Sequence, residues 1–472
     1  MLNQMAHSNQ YNPMTSDQID LLHGASLEIL SRTGIRFFHA EAISLFKKAG
    51  ADISEENRVR IPRHLVEWAL KTAPRNITIY NRDLQEAMIL GGDNRKTYFG
   101  VGSDCMNIYD PYTQLRRSAK LQDVVNGMRL VAGLANIDFV MSMFVPSDVP
   151  VEDYEKKQLS VMLQENIKPI ILAGIKPDST AYALKMATAI VGSDAIQKHP
   201  FIINYVNTIT ALKHNQEGLQ RLLDAAEQNM PTIYAPGNSR GTSAPITIAG
   251  MLALGNAGQL GGLVLSQLKR EGSPFILNNP NVGTIDMKTM VDLYVSPDGG
   301  PFSWDLAQYY GLPVLCSGGA SDSKIFDAQA ATEAMLTLFT NSSRGASLIQ
   351  NIGYLDSAMT GSFELIAYCD EMIGWIKQYL KPLQIDEETL ALDLIDEIGP
   401  DGDFLATAHT LKHFREDWQP KLVDRNNFQN WFKKDALTLK QRANTMVKNI
   451  LETSRVDQLS DEIIKEMDDM FH

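Results

Sequence analysis

Aromatic rings and neutral amides recur where the β-prone apolar runs of this 472-residue chain end. The first such position carries Tyr98, Phe99 and Asp104, and the second Phe144. The fourth carries Asn204, Tyr205, Asn207 and Thr208, and the fifth Tyr234 and Asn238. Asn278, Asn279 and Asn281 follow the sixth, Ser317, Asp322 and Lys324 the seventh, and Gln350, Asn351 and Tyr354 the eighth. The set contains no histidine. Rings combined with neutral amides suit a small cation that cannot donate hydrogen bonds, because the ring quadrupole attracts positive charge. Amides and hydroxyls can hold a carboxylate at the other end. From this set, Tyr98, Phe99, Tyr205 and Tyr234 are the expected wall for an ammonium group. Asn204, Asn207, Gln350 and Asn351 are the expected contacts for a carboxylate or water. Each residue also has a plainer reading, since amides cap helices and aromatics pack.

Other chemistries find less support. Gly237-Asn238-Ser239-Arg240-Gly241 has the G-x-S-x-G spacing, but a nucleophile elbow needs a helix at once. Thr242-Ser243-Ala244-Pro245 delays it, so the segment reads as a polar turn. His409 and His413 share one helical face, with Thr410, Leu411 and Lys412 between them. A catalytic zinc needs three converging protein ligands, and no third can be assigned, so no metal is expected. Cys105, Cys316 and Cys369 are far apart and odd in number, which excludes a disulfide framework or zinc finger. Gly318-Gly319 lacks the spacing of a dinucleotide turn or P-loop. Some barrels bind phosphate through late loops, which leaves a phosphate-dependent barrel lyase as an open alternative. Asp322 and Lys324 share a loop and can pair with each other.

Eight elements would have to position these side chains. Apolar, β-branched runs lie at Thr97–Val101, Ile137–Phe144, Lys168–Ala173, Phe201–Val206, Thr232–Ala235, Phe275–Leu277, Pro313–Ser317 and Ser347–Ile352. Helical patterns separate them, and Phe363–Leu380 follows the last. This alternation predicts an α/β fold, a TIM (β/α)8 barrel, because eight parallel strands close without edges. A doubly wound open sheet would also alternate, but the count of eight favours the barrel. Ala244–Leu265 approaches membrane-spanning length, yet it holds Asn256, Gln259 and five glycines. It reads as a closely packed buried helix. The expected organisation is an α-rich N-terminal region (1–95) whose first 13 residues are disordered, the barrel (96–383) and a C-terminal helical region (384–472). That last region is packing material or a dimer or partner surface.

A net charge of −13 and a pI of about 5.2 argue against nucleic acid as a partner. No apolar signal region is seen at the start, and the expected compartment is the cytoplasm.

Three segments carry a family resemblance: LPVLCSGGASDSKIFDAQA (Leu312–Ala330), RGASLIQNIGYLDSAMTGSFELIAYCDEMIG (Arg344–Gly374) and DGDFLATAHTLKHFR (Asp401–Arg415). With Val101–Val124 and the N-terminal helices, they resemble the trimethylamine methyltransferase family of corrinoid-dependent enzymes. The resemblance implies a TIM barrel with helical additions. It implies methyl transfer from a methylated amine to the Co(I) of a separate corrinoid protein, with no cofactor held permanently by this chain. Some relatives carry pyrrolysine, whereas this chain uses only the twenty ordinary residues. It is therefore similar to the non-pyrrolysine branch, which acts on quaternary amines such as glycine betaine, carnitine and proline betaine.

The chemistry of that branch asks little of the protein. Co(I) is the nucleophile, and a quaternary nitrogen already carries the charge that makes it a leaving group. No catalytic side chain is then expected, only positioning. The cation must not be held too tightly, because its charge is lost in the transition state. Neutral amides beside rings fit that requirement better than a close Asp. Glycine betaine is the expected methyl donor. Carnitine, proline betaine or a non-catalytic betaine sensor on the same barrel remain as alternatives.

Overall fold

The computed structural model of the chain describes residues 14–92, 96–279, 285–295 and 302–470. The expected disorder of residues 1–13 and the position of Asn281 lie outside these. Seven strands form one parallel sheet in the order Tyr98–Val101, Leu348–Ile352, Val314–Ser317, Phe275–Asn278, Thr232–Pro236, Ile202–Thr208, Ile170–Leu172. Two parallel bridges close it: Phe139 pairs with Gly100 of the first strand, and Val140 with Ile170 of the third. The result is a closed eight-position barrel. The second position, expected as a run over Ile137–Phe144, is reduced to these bridges and one from Phe144 to Cys105. Met143 sits there at φ 63°, which interrupts extended backbone.

Both alternating sets of barrel side chains are apolar because both faces are buried. The inward set packs as one cluster: Tyr98, Phe139, Met141, Ile171, Ile203, Ile233, Ile276, Leu315 and Leu348. Ile77, Ile79, Met88 and Leu90 join it from a hairpin of Asn76–Tyr80 and Glu86–Gly91. That hairpin meets the chain just before the strands begin, through Tyr80 N–H to the Pro200 carbonyl and Arg82 N–H to the Ile167 carbonyl. It therefore plugs the N-terminal end of the barrel and leaves the C-terminal end as the mouth.

The helix Ile248–Lys269 is apolar all round because it is covered on two sides. A Cβ on Gly262 would strike the Tyr234 ring of the barrel, and one on Gly261 would strike Ile35 of the N-terminal region. Besides helices, that region holds the plugging hairpin and a small sheet of Ile35–Phe37, Arg58–Arg60 and Asp52–Glu55. Lys213–His214, from the chain after the fourth barrel strand, completes that sheet. Beyond the barrel, the four short helices Glu387–Leu390, Leu392–Ile398, Ala408–His413 and Phe428–Lys433 contain no buried residue.

Candidate active site

The inward cluster sets the parity of every strand, since side chains alternate between the two faces. Two residues beyond Ile203 comes Tyr205, then Asn207 toward the mouth. By the same step Leu348 leads to Gln350, Leu315 to Ser317, Ile276 to Asn278, Ile233 to Ala235 and Ile171 to Ala173. A barrel interior is ordinarily filled by bulky side chains. Alanine and serine at three of these positions leave space for a cavity around Tyr205 and Gln350.

Tyrosines and one carboxylate gather there. Tyr294 and Tyr354 meet edge to face with ring centroids 5.9 Å apart. The Tyr354 hydroxyl donates to the Ser103 carbonyl, and its ring lies where a Cβ on Gly102 would fall. Tyr294 is held by its backbone: its N–H donates to Asp322 Oδ1 at 3.1 Å, and the Val295 N–H donates to Oδ2 at 3.0 Å. The Gln350 side chain reaches the Tyr205 hydroxyl. Asp104 adopts φ 77°, a left-handed conformation that Asp tolerates better than most residues. It remains accessible to the cavity although protein surrounds it. Burial lifts its carboxyl above the ordinary range, Glu155 adds to the rise, and the Ser103 hydroxyl at 2.7 Å opposes it. Burial and then nearby negative charge, Asp104 included, also raise the phenols of Tyr154, Tyr294 and Tyr354. For Tyr205, burial and Asp104 raise the phenol while the Gln350 bond opposes the rise.

Four of the eight residues expected at the site lie on the cavity side. Tyr205, Gln350 and Asn207 point inward, with Asn207 exposed at the mouth. Asn351 adopts φ 76° and donates from Nδ2 to Ser317 Oγ at 3.0 Å. The structure places the other four away from the cavity. Tyr98 points inward but at the plugged end, where its hydroxyl accepts from the Ile89 N–H at 3.1 Å. Phe99 has the opposite parity and packs in the layer between barrel and helices. Asn204 also faces outward, bonded to Thr180 and to the Arg221 carbonyl. Tyr234 leans on helix Ile248–Lys269, its hydroxyl 2.8 Å from His214 Nδ1.

Tyr294, Tyr154 and Glu155 were absent from the expected set. Tyr294 had one available signal. The connection between Asn278 and Phe302 far exceeds the few residues that usually join a strand to its helix, and such long connections are commonly functional. Asp104 stands among the strand-end residues, but in sequence nothing sets it above its neutral neighbours.

Little else in the cavity wall is reactive. Cys105 is buried, and its thiol is pushed well above the ordinary range by burial and then by Asp104. Among the described residues no three His, Cys, Asp or Glu side chains converge as a metal site. The His409 and His413 rings lie 4.5 Å apart on the tail. His409 Nε2 is 3.2 Å from the Glu388 carbonyl, and His413 Nδ1 is 2.8 Å from Glu416. A wide groove of about 700 Å³ runs along the outer face between Lys185, Asp224 and Glu466. It is away from the mouth and has none of the cavity's tyrosines.

Comparison with known proteins agrees with this architecture. Residues 2–472 match the profile of the trimethylamine methyltransferase (MTTB) family. A trimethylamine methyltransferase MttB of Desulfitobacterium hafniense (strain DSM 10664 / DCB-2) is 31% identical over 95% of this chain and 91% of its own. A glycine betaine methyltransferase of Desulfitobacterium hafniense (strain Y51) is also 31% identical, over 94% and 92%. The MttB of Methanosarcina thermophila is 27% identical over 97% and 96%. In fold, the chain resembles the crystal structure of the hydroxylamine MtmB complex, with a TM-score of 0.57 at 10% identity over 96% of this chain and 90% of that one. This chain belongs to the trimethylamine methyltransferase family.

Proposed function

We propose that the protein moves a methyl group from a quaternary amine to the cobalt of a corrinoid carried by a separate protein, releasing the tertiary amine. Glycine betaine, the donor expected from the sequence, and trimethylamine, in the names of relatives, share a trimethylated nitrogen. The observation that carries the proposal is the tyrosine cluster of Tyr205, Tyr294 and Tyr354 beside Asp104 at the barrel mouth. Ring faces attract a cation that offers no hydrogen bonds. Asp104 supplies the opposite charge, so the cage is less neutral than the sequence suggested. The C–N electron pair stays on nitrogen as the bond breaks, and the amine leaves uncharged without a proton donor.

A reduced corrinoid supplies the nucleophile. The chain's own thiol beside the cavity, Cys105, is held protonated and is a poor acceptor. The mouth fits delivery from outside. Each of its eight loops exposes a large apolar side chain: Met106, Val151, Ile175, Ile209, Ile246, Met287, Ile325 and Met359. An apolar rim around a polar cavity suits docking of a partner that presents a macrocycle. The cytoplasm is the proposed compartment.

The test mixes the protein, a quaternary amine and Co(I) cobalamin, and follows loss of the Co(I) absorption. Amine-dependent loss is expected. Binding of quaternary amines with no spectral change would favour the sensor reading. Tyr205→Ala should weaken amine binding by about 1 kcal/mol, and an unchanged calorimetric affinity would remove Tyr205 from the cage.

A further inference from the structure

Two features of the cavity go beyond what an ammonium cage requires. The first is Gln350. Its side chain is only 8% exposed and reaches the Tyr205 hydroxyl, yet its Oε1 has no hydrogen-bond partner. A buried carbonyl oxygen left in this state is costly unless something donates to it.

The second is the sign of the charge. The charged groups felt by Asp104, Tyr205, Tyr294, Tyr354 and Asp292 are carboxylates: Glu155, Asp104, Asp292 and Asp322. Among the described residues, no lysine or arginine is named among the influences on them. The buried Arg221 lies behind the fourth strand, with Nη1 on the Tyr205 carbonyl at 3.0 Å. Arg240, after the fifth strand, is engaged through Nε with the Ile246 carbonyl at 2.9 Å. At the rim, Lys324 and Arg116 both turn to Asp356.

We infer that the methyl donor is a net-cationic quaternary amino alcohol, its trimethylammonium group in the tyrosine cage beside Asp104 and its hydroxyl donating to Gln350 Oε1. The inference rests on the proposed function above and narrows it. A betaine would bring its carboxylate beside Asp104 and an unmet acceptor, where no lysine or arginine among the described residues acts on the cage groups. Like-charge juxtaposition of that kind is strongly disfavoured. An amino alcohol satisfies both groups at once.

Calorimetry on the full chain at about pH 8, where an ordinary carboxyl is ionised, separates the cases with choline, glycine betaine and tetramethylammonium as probes. Choline is expected to bind about tenfold or more tighter than glycine betaine, and several-fold tighter than tetramethylammonium. Gln350→Met should remove the advantage of choline over tetramethylammonium. Asp104→Asn should narrow the gap between choline and glycine betaine. Glycine betaine binding as tightly as choline to the unaltered protein would overturn the inference and leave the cage standing. If none of the three binds, the cage itself fails, and the proposed function with it.

Discussion

Asp104 combines two opposed effects in one side chain. Its carboxyl is raised by burial, so the folded protein holds that proton more tightly than the unfolded chain does. Ionisation above that raised pKa therefore costs stability, while the same charge attracts the substrate cation. Asp104→Asn should raise the thermal midpoint and at the same time weaken amine binding, measured by scanning calorimetry and by KM. In the unaltered protein, affinity should fall as pH drops through the raised pKa of Asp104. That acid limb should begin above the ordinary aspartate range and vanish in the asparagine variant. Gln350 and Tyr205 belong to the same scale. Both were visible as strand-end residues, but nothing local distinguished them from Asn204 and Tyr234, one residue away from the inward parity.

Elements fix these residues through close approaches that tolerate no added atom. A Cβ on Gly102 would lie 2.2 Å from the Tyr354 hydroxyl. Gly102→Ala should displace that ring, raise KM and also lower the thermal midpoint by overpacking. A Cβ on Gly262 would lie 2.3 Å from the Tyr234 ring. Gly262→Ala there should cost about 1–3 kcal/mol of stability by overpacking, seen in denaturant unfolding, with KM unchanged. Lys168 ties the plugged end together. Its Nζ donates to the carbonyls of Val131, Leu134 and Ile137 at 2.6–2.8 Å. Burial lowers its pKa to about 8, against the raising influence of Asp138 and Asp370. Lys168→Met would strand three carbonyls and should destabilise by about 2 kcal/mol.

At the scale of the molecule, exposed apolar side chains concentrate in two places with different expected uses. The mouth rim is the proposed docking face for the corrinoid-carrying partner. The tail from Leu383 to Phe432 exposes Leu383, Ile385, Leu392, Leu405, Leu411, Phe428 and Phe432, on short helices without a buried residue and on the segments that join them. So extended an apolar surface calls for cover, and the expected cover is a second copy of the chain. Sedimentation is expected to give a particle heavier than the 52.5 kDa chain. Leu405→Asp together with Phe428→Asp should return it toward the monomer mass.

The eight apolar runs, the buried glycine-rich helix and the family were all legible in the amino-acid order. Strand length, helix period and glycine placement are local signals that survive without a structure. Long stretches similar to a known family also need no coordinates. Which parity of each strand faces the cavity was not legible, because a barrel buries both faces and both sets are apolar. A one-residue choice moves a side chain from the cavity to the helix layer, and that separates Tyr205 from Asn204 and Ala235 from Tyr234. The end of the barrel was equally hidden. Tyr98 lies on the inward set but meets the hairpin, a contact made only once residues 76–91 fold beneath the strands. Tyr294 entered the cage by long-range closure as well, anchored by Asp322 from the next loop. The sequence by itself therefore determined the scaffold and its family. Tertiary closure alone decided which tyrosines surround Asp104.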